Sequence, residues 1–305
     1  MPVSNSPQIL KGRALGDFEA QSTGLEIVRA MAQGRIQVPY MQTLGMEFLG
    51  TVDEGHVELV LPVADWLREE DGRIPSGAML SIMDAAGGLA ARSILPKGKS
   101  YLVASFQAGA TNESMDDKIE NLHAIATVRS GMGAEEGLIL ARVELRDGRG
   151  RLLGDAMLQN AILSTPPASR KDEPGQEPAI EHARVTPVSF ADMLGLVQSD
   201  EGVSIQTSTK LHNSIGTMHG GAILSALAEA AYRGEVVKTL RDQTYARLCN
   251  ISATYLRPVT DDLRTVAAVA YPVKPGSIIS SAGAGLGPAG KELAKGECGF
   301  RILSL

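Results

Sequence analysis

Two stretches of the chain are apolar on nearly every side a helix would present: GAMLSIMDAAGGLAARS at 77–93 and GGAILSALAEAAYRGEVV at 220–237. Both are rich in Ala and Leu, which favour helix. A helix without a polar face has no side to give to water, so the pattern predicts two buried helices. Around each lie short alternating runs separated by Gly, Pro or Asp. HVELVLPV precedes the first helix, and SYLVASFQAG, NLHAIATV, LILARVEL and GDAMLQNAIL follow it. VSIQTSTKL precedes the second, and LCNISATYLRPV, TVAAVAYPV, SIISSAGAGL and ECGFRIL follow it. Alternation of this kind predicts strands with one buried face. A buried helix wrapped by an antiparallel sheet satisfies both patterns, and the chain shows it twice.

The repetition is ordered. Leu44-Gly45 in VPYMQTLGM pairs with Leu194-Gly195 in VSFADMLGL, and Gly77-Ala78 pairs with Gly221-Ala222. The offset falls from 150 to 144 because the first copy carries six more residues before its helix. Between the copies, residues 165–187 hold 5 of the 15 prolines with mixed charges and no apolar period, the mark of a linker. The expected organisation is an N-terminal helical extension at 1–37, a first domain at 38–164, a linker at 165–185 and a second domain at 186–305. FEAQSTGLEIVRAMAQG, in the extension, reads as one amphipathic helix packed outside the first copy.

Composition narrows the function. The 305 residues carry a net charge of -6, and no Lys/Arg run exceeds two, so no nucleic-acid partner is expected. Aromatics at 4% are too few for a stacking surface. No apolar run reaches the ~18 residues that span a bilayer, and no leader peptide is evident, so the expectation is a cytoplasmic protein without a membrane partner. Cys249 and Cys298 cannot form a metal cluster alone; they read as small buried hydrophobes in a reducing compartment.

Few residues are placed for chemistry. Asp84 stands inside SIMDAAGGLA, with Leu80 and Gly88 one turn away on either side, so no local cation pairs with it. An unpaired buried carboxylate costs several kcal/mol or titrates abnormally, which makes Asp84 a candidate acid or base. In HNSIGTMHGGA, residues 212–222, His219 precedes two glycines that open the second helix. Gly220 and Gly221 would let a ligand approach the free N–H groups of the first turn, where the helix dipole favours negative charge. An ordinary turn capped by His219 explains the same string. Glu229 has Arg233 four residues on and reads as a surface pair. In the first copy Pro75-Ser76-Gly77 replaces His219-Gly220-Gly221, and Pro75 has no N–H to offer.

The run NSIGTMHGGAILSAL, with a later strand ending NISATYLRPV, resembles the hotdog-fold acyl-CoA thioesterases, in particular the phenylacetate-pathway-like group. The resemblance covers both copies and is most specific in the second. It implies an α+β fold of two hotdog domains in one chain, forming an intramolecular pseudo-dimer. The sheets would join edge to edge and the helices would lie side by side. It also implies an Asn six residues before the His, here Asn213, and an oxyanion-binding N–H from the next glycine, here Gly220. An acid nine residues past the His completes the set. In the second copy that place is Ala228, one step before Glu229; in the first, counted from Pro75, it is Asp84. Family sites lie between two hotdogs, the acid from one and the loop from the other. The implied site is therefore composite: Asp84 with Asn213, His219 and Gly220 as catalytic residues, Gly221, Ser100 and Tyr101 as substrate-binding residues, and the hydroxyl of Ser100 or Tyr101 near the acid. The implied activity is hydrolysis of acyl-CoA thioesters without metal or bound cofactor, in a homo-oligomer of pseudo-dimers. A hydratase or dehydratase on acyl thioesters, or a non-catalytic acyl-CoA sensor, are the rival readings.

Overall fold

The computed structural model describes residues 8–69, 72–110, 119–128, 137–163, 189–199, 202–241, 244–260, 263, 265–274, 279–288 and 291–304. The expected linker at 165–185 lies outside the described residues.

The N-terminal extension forms two helices, α1 (Gly12–Gln21) and α2 (Gly24–Ala32), where the pattern suggested one. The break is a capping box. Thr23 Oγ1 accepts from the Glu26 N–H and the Glu26 carboxylate accepts from the Thr23 N–H, so two donors that a continuing helix would have used internally are satisfied by side chains. The T-x-x-E spacing was visible in the sequence and is the signal for this break. α2 then packs on the first long helix, so closely that a Cβ on Gly24 would lie 1.7 Å from the Arg92 carbonyl oxygen.

Next come α3 (Pro39–Leu44), β1 (Glu47–Phe48), β2 (His56–Pro62), the long helix α4 (Ser76–Ser93), and strands β3 (Ser100–Ala110), β4 (Asn121–Val128), β5 (Leu138–Asp147) and β6 (Leu152–Leu163). The second half repeats the order: α5 (Phe190–Leu194), β7 (Leu196–Ser199), β8 (Gly202–Gln206), α6 (Gly220–Ala231), β9 (Thr244–Tyr255), β10 (Thr265–Lys274), β11 (Ile279–Leu286) and β12 (Ala294–Ser304). The repeated Leu-Gly pairs end α3 and α5. Gly45 (φ 76°) and Gly195 (φ 66°) take the left-handed conformation that closes a helix and that a side chain disfavours. α6 stops at Ala231, earlier than its counterpart; residues Tyr232–Val236 continue in a wider π turn.

Among the described residues all strands belong to one antiparallel sheet in the order β1-β2-β4-β5-β6-β3-β9-β12-β11-β10-β8-β7. Read from its centre, this order is the same in both directions. β3 and β9 join the halves edge to edge, Ser105 opposite Thr254 and Gly109 opposite Asn250, which puts the pseudo-two-fold axis between Gln107 and Ser252. Across the same axis α4 and α6 touch through small residues. A Cβ on Gly77 would lie 2.7 Å from Ser225 Oγ, and one on Gly221 would lie 2.7 Å from Ser81 Cα. The Ser81 hydroxyl donates to the Gly77 carbonyl and the Ser225 hydroxyl to the Gly221 carbonyl, at 2.6 and 2.7 Å. Glycine and serine thus let two apolar helices approach without leaving a polar group unsatisfied. The hydrophobic core runs continuously from Ile27 through both helices to Phe300. Both cysteines are free thiols; Cys298 is buried as expected, whereas Cys249 is half-buried, its Sγ 3.2 Å from the Gly299 carbonyl. Among the described residues no helix is long and apolar enough to cross a membrane, and no three His, Cys, Asp or Glu residues are grouped as metal ligands.

Candidate active site

α4 buries every residue from Gly77 to Ser93, so Asp84 has no route to solvent along its own helix and is 3% exposed. Its partners come from the other half. The Asp84 carboxylate rests on the first residue of α6: a Cβ on Gly220 would lie 2.6 and 2.7 Å from its two oxygens. Only a glycine lets a carboxylate come this near the N-terminus of α6, where the unpaired N–H groups and the helix dipole favour negative charge.

His219 is the N-cap of α6. Its Nδ1 lies 3.1 Å from the Gly221 N–H and 3.2 Å from Asp84 Oδ2. The one nitrogen serves one neighbour at a time: as a lone pair it caps Gly221, and when protonated it pairs with Asp84. The Gly221 N–H is therefore occupied by the cap in the neutral ring. The Gly220 N–H has no intrahelical carbonyl within reach of its position, and no bond to it is found among the described residues. Tyr40, on α3, supports the imidazole with ring centroids 4.8 Å apart, and its hydroxyl is bonded to Ser81 Oγ at 2.7 Å. Burial pushes the Tyr40 phenol well up, so it stays neutral.

Asn213 lines the same cleft, but its polar atoms face its own loop. Its Oδ1 accepts from the Ile215 and Thr217 N–H groups and its Nδ2 donates to Thr217 Oγ1. This is an Asx-type turn that shapes residues 213–217. The hydroxyl near the acid comes from neither Ser100 nor Tyr101. Tyr255, the last residue of β9, places its Oη 3.4 Å from Asp84 Oδ1 and 3.3 Å from the Gly220 carbonyl oxygen. Ser100 and Tyr101 line the cleft further along, where a Cβ on Gly88 would lie 2.8 Å from Tyr101 Oη. Burial pushes the Tyr101 phenol up to about 12. Sequence reasoning missed Tyr40 and Tyr255, although Tyr255 stands inside the string NISATYLRPV that carried the resemblance.

The cleft has a volume of about 100 Å³ and follows α4 from Asp84 past Ala85, Gly88 and Leu89 to Arg92. Met31, Val38 and Met41 form an apolar wall from the N-terminal region. Arg92 closes the end; its guanidinium donates to Glu19 on α1 at 2.7 Å and to Ser214 Oγ at 3.3 Å, tying the extension and the second-half loop together.

The mirror position is built differently. Counting along the helices, Ala228 stands where Asp84 does and Ser76 where Gly220 does. Ala85, Gly88 and Leu89 become Glu229, Tyr232 and Arg233, and on the strands, where the register makes the offset 145, Val103 becomes Leu248. Glu229 accepts from Arg233 at 2.6 Å, the pair expected from its spacing. Arg73 and Arg247 each stand 5.0 Å from the Tyr245 ring, and Arg73 meets Glu69 at 3.3 Å. Larger side chains, Glu229, Tyr232 and Arg233, thus stand where the first-half helix has Ala85, Gly88 and Leu89.

No protein-family model matches the chain, and no curated protein matches it in sequence. Solved structures do. The tesB protein of Mycobacterium avium subsp. paratuberculosis superposes with a TM-score of 0.56 at 11% identity, covering 87% of this chain and 98% of its own. The 12:0-ACP thioesterase of Umbellularia californica gives 0.54 at 12% identity, covering 83% and 100%. A putative oleoyl thioesterase of Lactobacillus plantarum gives 0.52 at 10% identity, covering 83% and 99%. Each of these folds is matched nearly end to end by both halves of this chain together. With one helix wrapped by antiparallel strands in each half, and the sheets joined at β3 and β9, the chain is a double hotdog.

Proposed function

We propose that the protein hydrolyses acyl-CoA thioesters to free acid and CoA at one composite site per chain, built by Asp84 of the first half and His219 and Gly220 of the second. The observation that carries this reading is the contact of the Asp84 carboxylate with Gly220 at the start of α6. A potential base or nucleophile and a free helix-terminal N–H meet there, at the edge of a cleft with an apolar wall. A thioester carbonyl seated against the Gly220 N–H would have its developing oxyanion stabilised by that donor and by the α6 dipole. Asp84 would then take a proton from the attacking water, or attack the carbonyl carbon itself to give a mixed anhydride that water opens. In either course the C–S bond breaks and CoA leaves as the thiolate. His219 caps α6 and holds the loop beside the acid; Asn213 shapes that loop.

The mirror interface supports one site rather than two. Ala228 supplies no carboxylate, Glu229 is engaged by Arg233, and Tyr232 and Arg233 stand where the first-half helix has Gly88 and Leu89. Two free thiols fit a reducing, cytoplasmic setting. Val269, Tyr271, Val273 and Ile279 are exposed on the solvent face of β10 and β11, and they support association of pseudo-dimers through that sheet face.

The test is thiol release over short, medium, long and aromatic acyl-CoAs, with Asp84→Asn and Glu229→Gln alongside the parent. Asp84→Asn should lower kcat by ~10²–10⁴ with little loss of stability. Glu229→Gln should leave kcat within about twofold, since it touches only a surface pair. A parent that binds acyl-CoA without releasing thiol is a binding protein, and an Asp84→Asn variant at the parental rate removes Asp84 from the chemistry.

A further inference from the structure

The composite-site reading assigns no part to Tyr255, yet its hydroxyl touches both halves of the site. It has one proton and two acceptors, Asp84 Oδ1 at 3.4 Å and the Gly220 carbonyl oxygen at 3.3 Å. We propose that Tyr255 is the positioning donor for Asp84: its O–H holds the ionised carboxylate in place and sets its basicity, and passes to the Gly220 carbonyl when Asp84 takes up a proton. The proposal rests on the reading of Asp84 as the reacting carboxylate.

An ionised acceptor binds a hydroxyl about twice as strongly as a neutral one, so a charged Asp84 accepts the Tyr255 hydrogen bond in preference to the Gly220 carbonyl. Once protonated, Asp84 is the weaker acceptor, and the Gly220 carbonyl at a similar distance receives the bond. The donor therefore never goes unpaired. Burial, and then the nearby Asp84 charge, push the Tyr255 phenol well above its ordinary range, so it keeps its own proton throughout. The other groups facing Asp84 are named in turn. His219 Nδ1 meets Oδ2, the oxygen Tyr255 leaves free. Tyr40 stacks on His219, with its hydroxyl turned to Ser81. Tyr101 and Arg92 lie further along the cleft. Among the described residues, Tyr255 is the hydroxyl that bonds the carboxylate.

The repeat adds an independent argument. The two-fold relation of β3 and β9 sets Ala110 in the place of Tyr255 in the other half. There Ala110 lines a small apolar space of about 20 Å³ beside Ser76. The phenol is present where the acid is present, and both are absent from the mirror position. A tyrosine kept only to fill core would have left no reason for this pairing.

The experiment replaces the donor in two opposite directions. Tyr255→Phe removes the hydroxyl and keeps the ring; 3-fluorotyrosine incorporated at 255 keeps the hydroxyl and makes it a stronger donor. The Asp84 carboxyl is followed by ¹³C NMR titration in the whole protein without substrate, assigned with Asp84→Asn. The Phe variant should move the Asp84 titration to higher pH than in the parent, because a bond favouring the charged form is lost. The fluorinated protein should move it to lower pH. In thiol release, the acid limb of kcat/KM should move the same way in each, and kcat of the Phe variant should fall about tenfold at nearly constant KM. Should the Phe variant not fold, the fluorinated protein, unchanged in shape, carries the test. An Asp84 titration and an acid limb that stay at parental values in the folded variants overturn the proposal. A parent without thiol release removes the hydrolase reading instead, and the titration still judges Tyr255.

Discussion

Gly220→Ala separates catalysis from stability at a single atom. The backbone at 220 is not left-handed, so alanine meets no conformational barrier there, and the loss of unfolded-chain freedom stabilises by ~0.4–1 kcal/mol. The added methyl would sit 2.6 Å from Asp84 Oδ2 and 2.7 Å from Oδ1, about 0.8 Å inside the 3.4 Å where ordinary contact begins. Asp84 cannot rotate freely away, because Tyr255 bonds one oxygen, the His219 ring stands against the other and the rest of α4 is buried. The carboxylate must therefore shift by most of that distance, away from the Gly220 N–H. A displacement of about 1 Å at a reacting group costs roughly 10² in rate, or about 2.7 kcal/mol of transition-state stabilisation. Overpacking offsets the entropic gain, so the melting temperature should stay within a few degrees of the parent. The assay is thiol release with the best acyl-CoA of the panel, read as kcat and KM separately, beside a thermal melt. The expectation is a kcat lower by ~10² in a protein that still melts cooperatively near the parental temperature. A variant with parental kcat would show that the Asp84–Gly220 contact is packing rather than the reaction centre. A variant that loses its cooperative melt would show that the contact is needed for the fold.

Two further perturbations test the scaffold. Gly24→Ala would put a methyl 1.7 Å from the Arg92 carbonyl oxygen, backbone against backbone, so α2 must lift from α4; the expectation is a loss of ~1–3 kcal/mol in denaturant unfolding. Asp147, at the end of β5, is raised by burial but lowered more by the Arg151 and Arg149 N–H groups and the Arg151 guanidinium, so its folded pKa lies below the ordinary value of 3.8. A group depressed in this way contributes its stability above the unfolded pKa and loses it as the pH falls through the folded one. Asp147→Asn should therefore be less stable than the parent at pH 7 in urea unfolding, and the difference should shrink below about pH 4.

The sequence by itself determined the parts and their number. Two helices apolar on every side demand burial, and strands alternating at period two supply the surface that covers them, so two copies of a sheet-wrapped helix were legible from patterning, and the resemblance carried by NSIGTMHGGAILSAL implied the joined double hotdog. The Leu-Gly pairs that revealed the repeat are helix ends, and their φ requirement is local. Asp84 was conspicuous for the same local reason, since a carboxylate among Met83, Ala85 and Ala86 lacks any partner within a turn. What it pairs with was not legible, because Tyr255 stands 171 residues away and reaches it only through the two-fold joining of β3 to β9. A search for the hydroxyl on the strand after Asp84's own helix leads to Ser100 and Tyr101, which the sheet places further down the cleft. Asn213 shows the converse: the sequence suggested a catalytic neighbour, and the loop's own N–H groups claim its oxygen first. The closeness of Asp84 to Gly220 belongs to tertiary structure alone. It depends on α4 and α6 meeting across the axis at Gly77, Ser81, Gly221 and Ser225, and that distance is set by the missing side chains of one half against the backbone of the other.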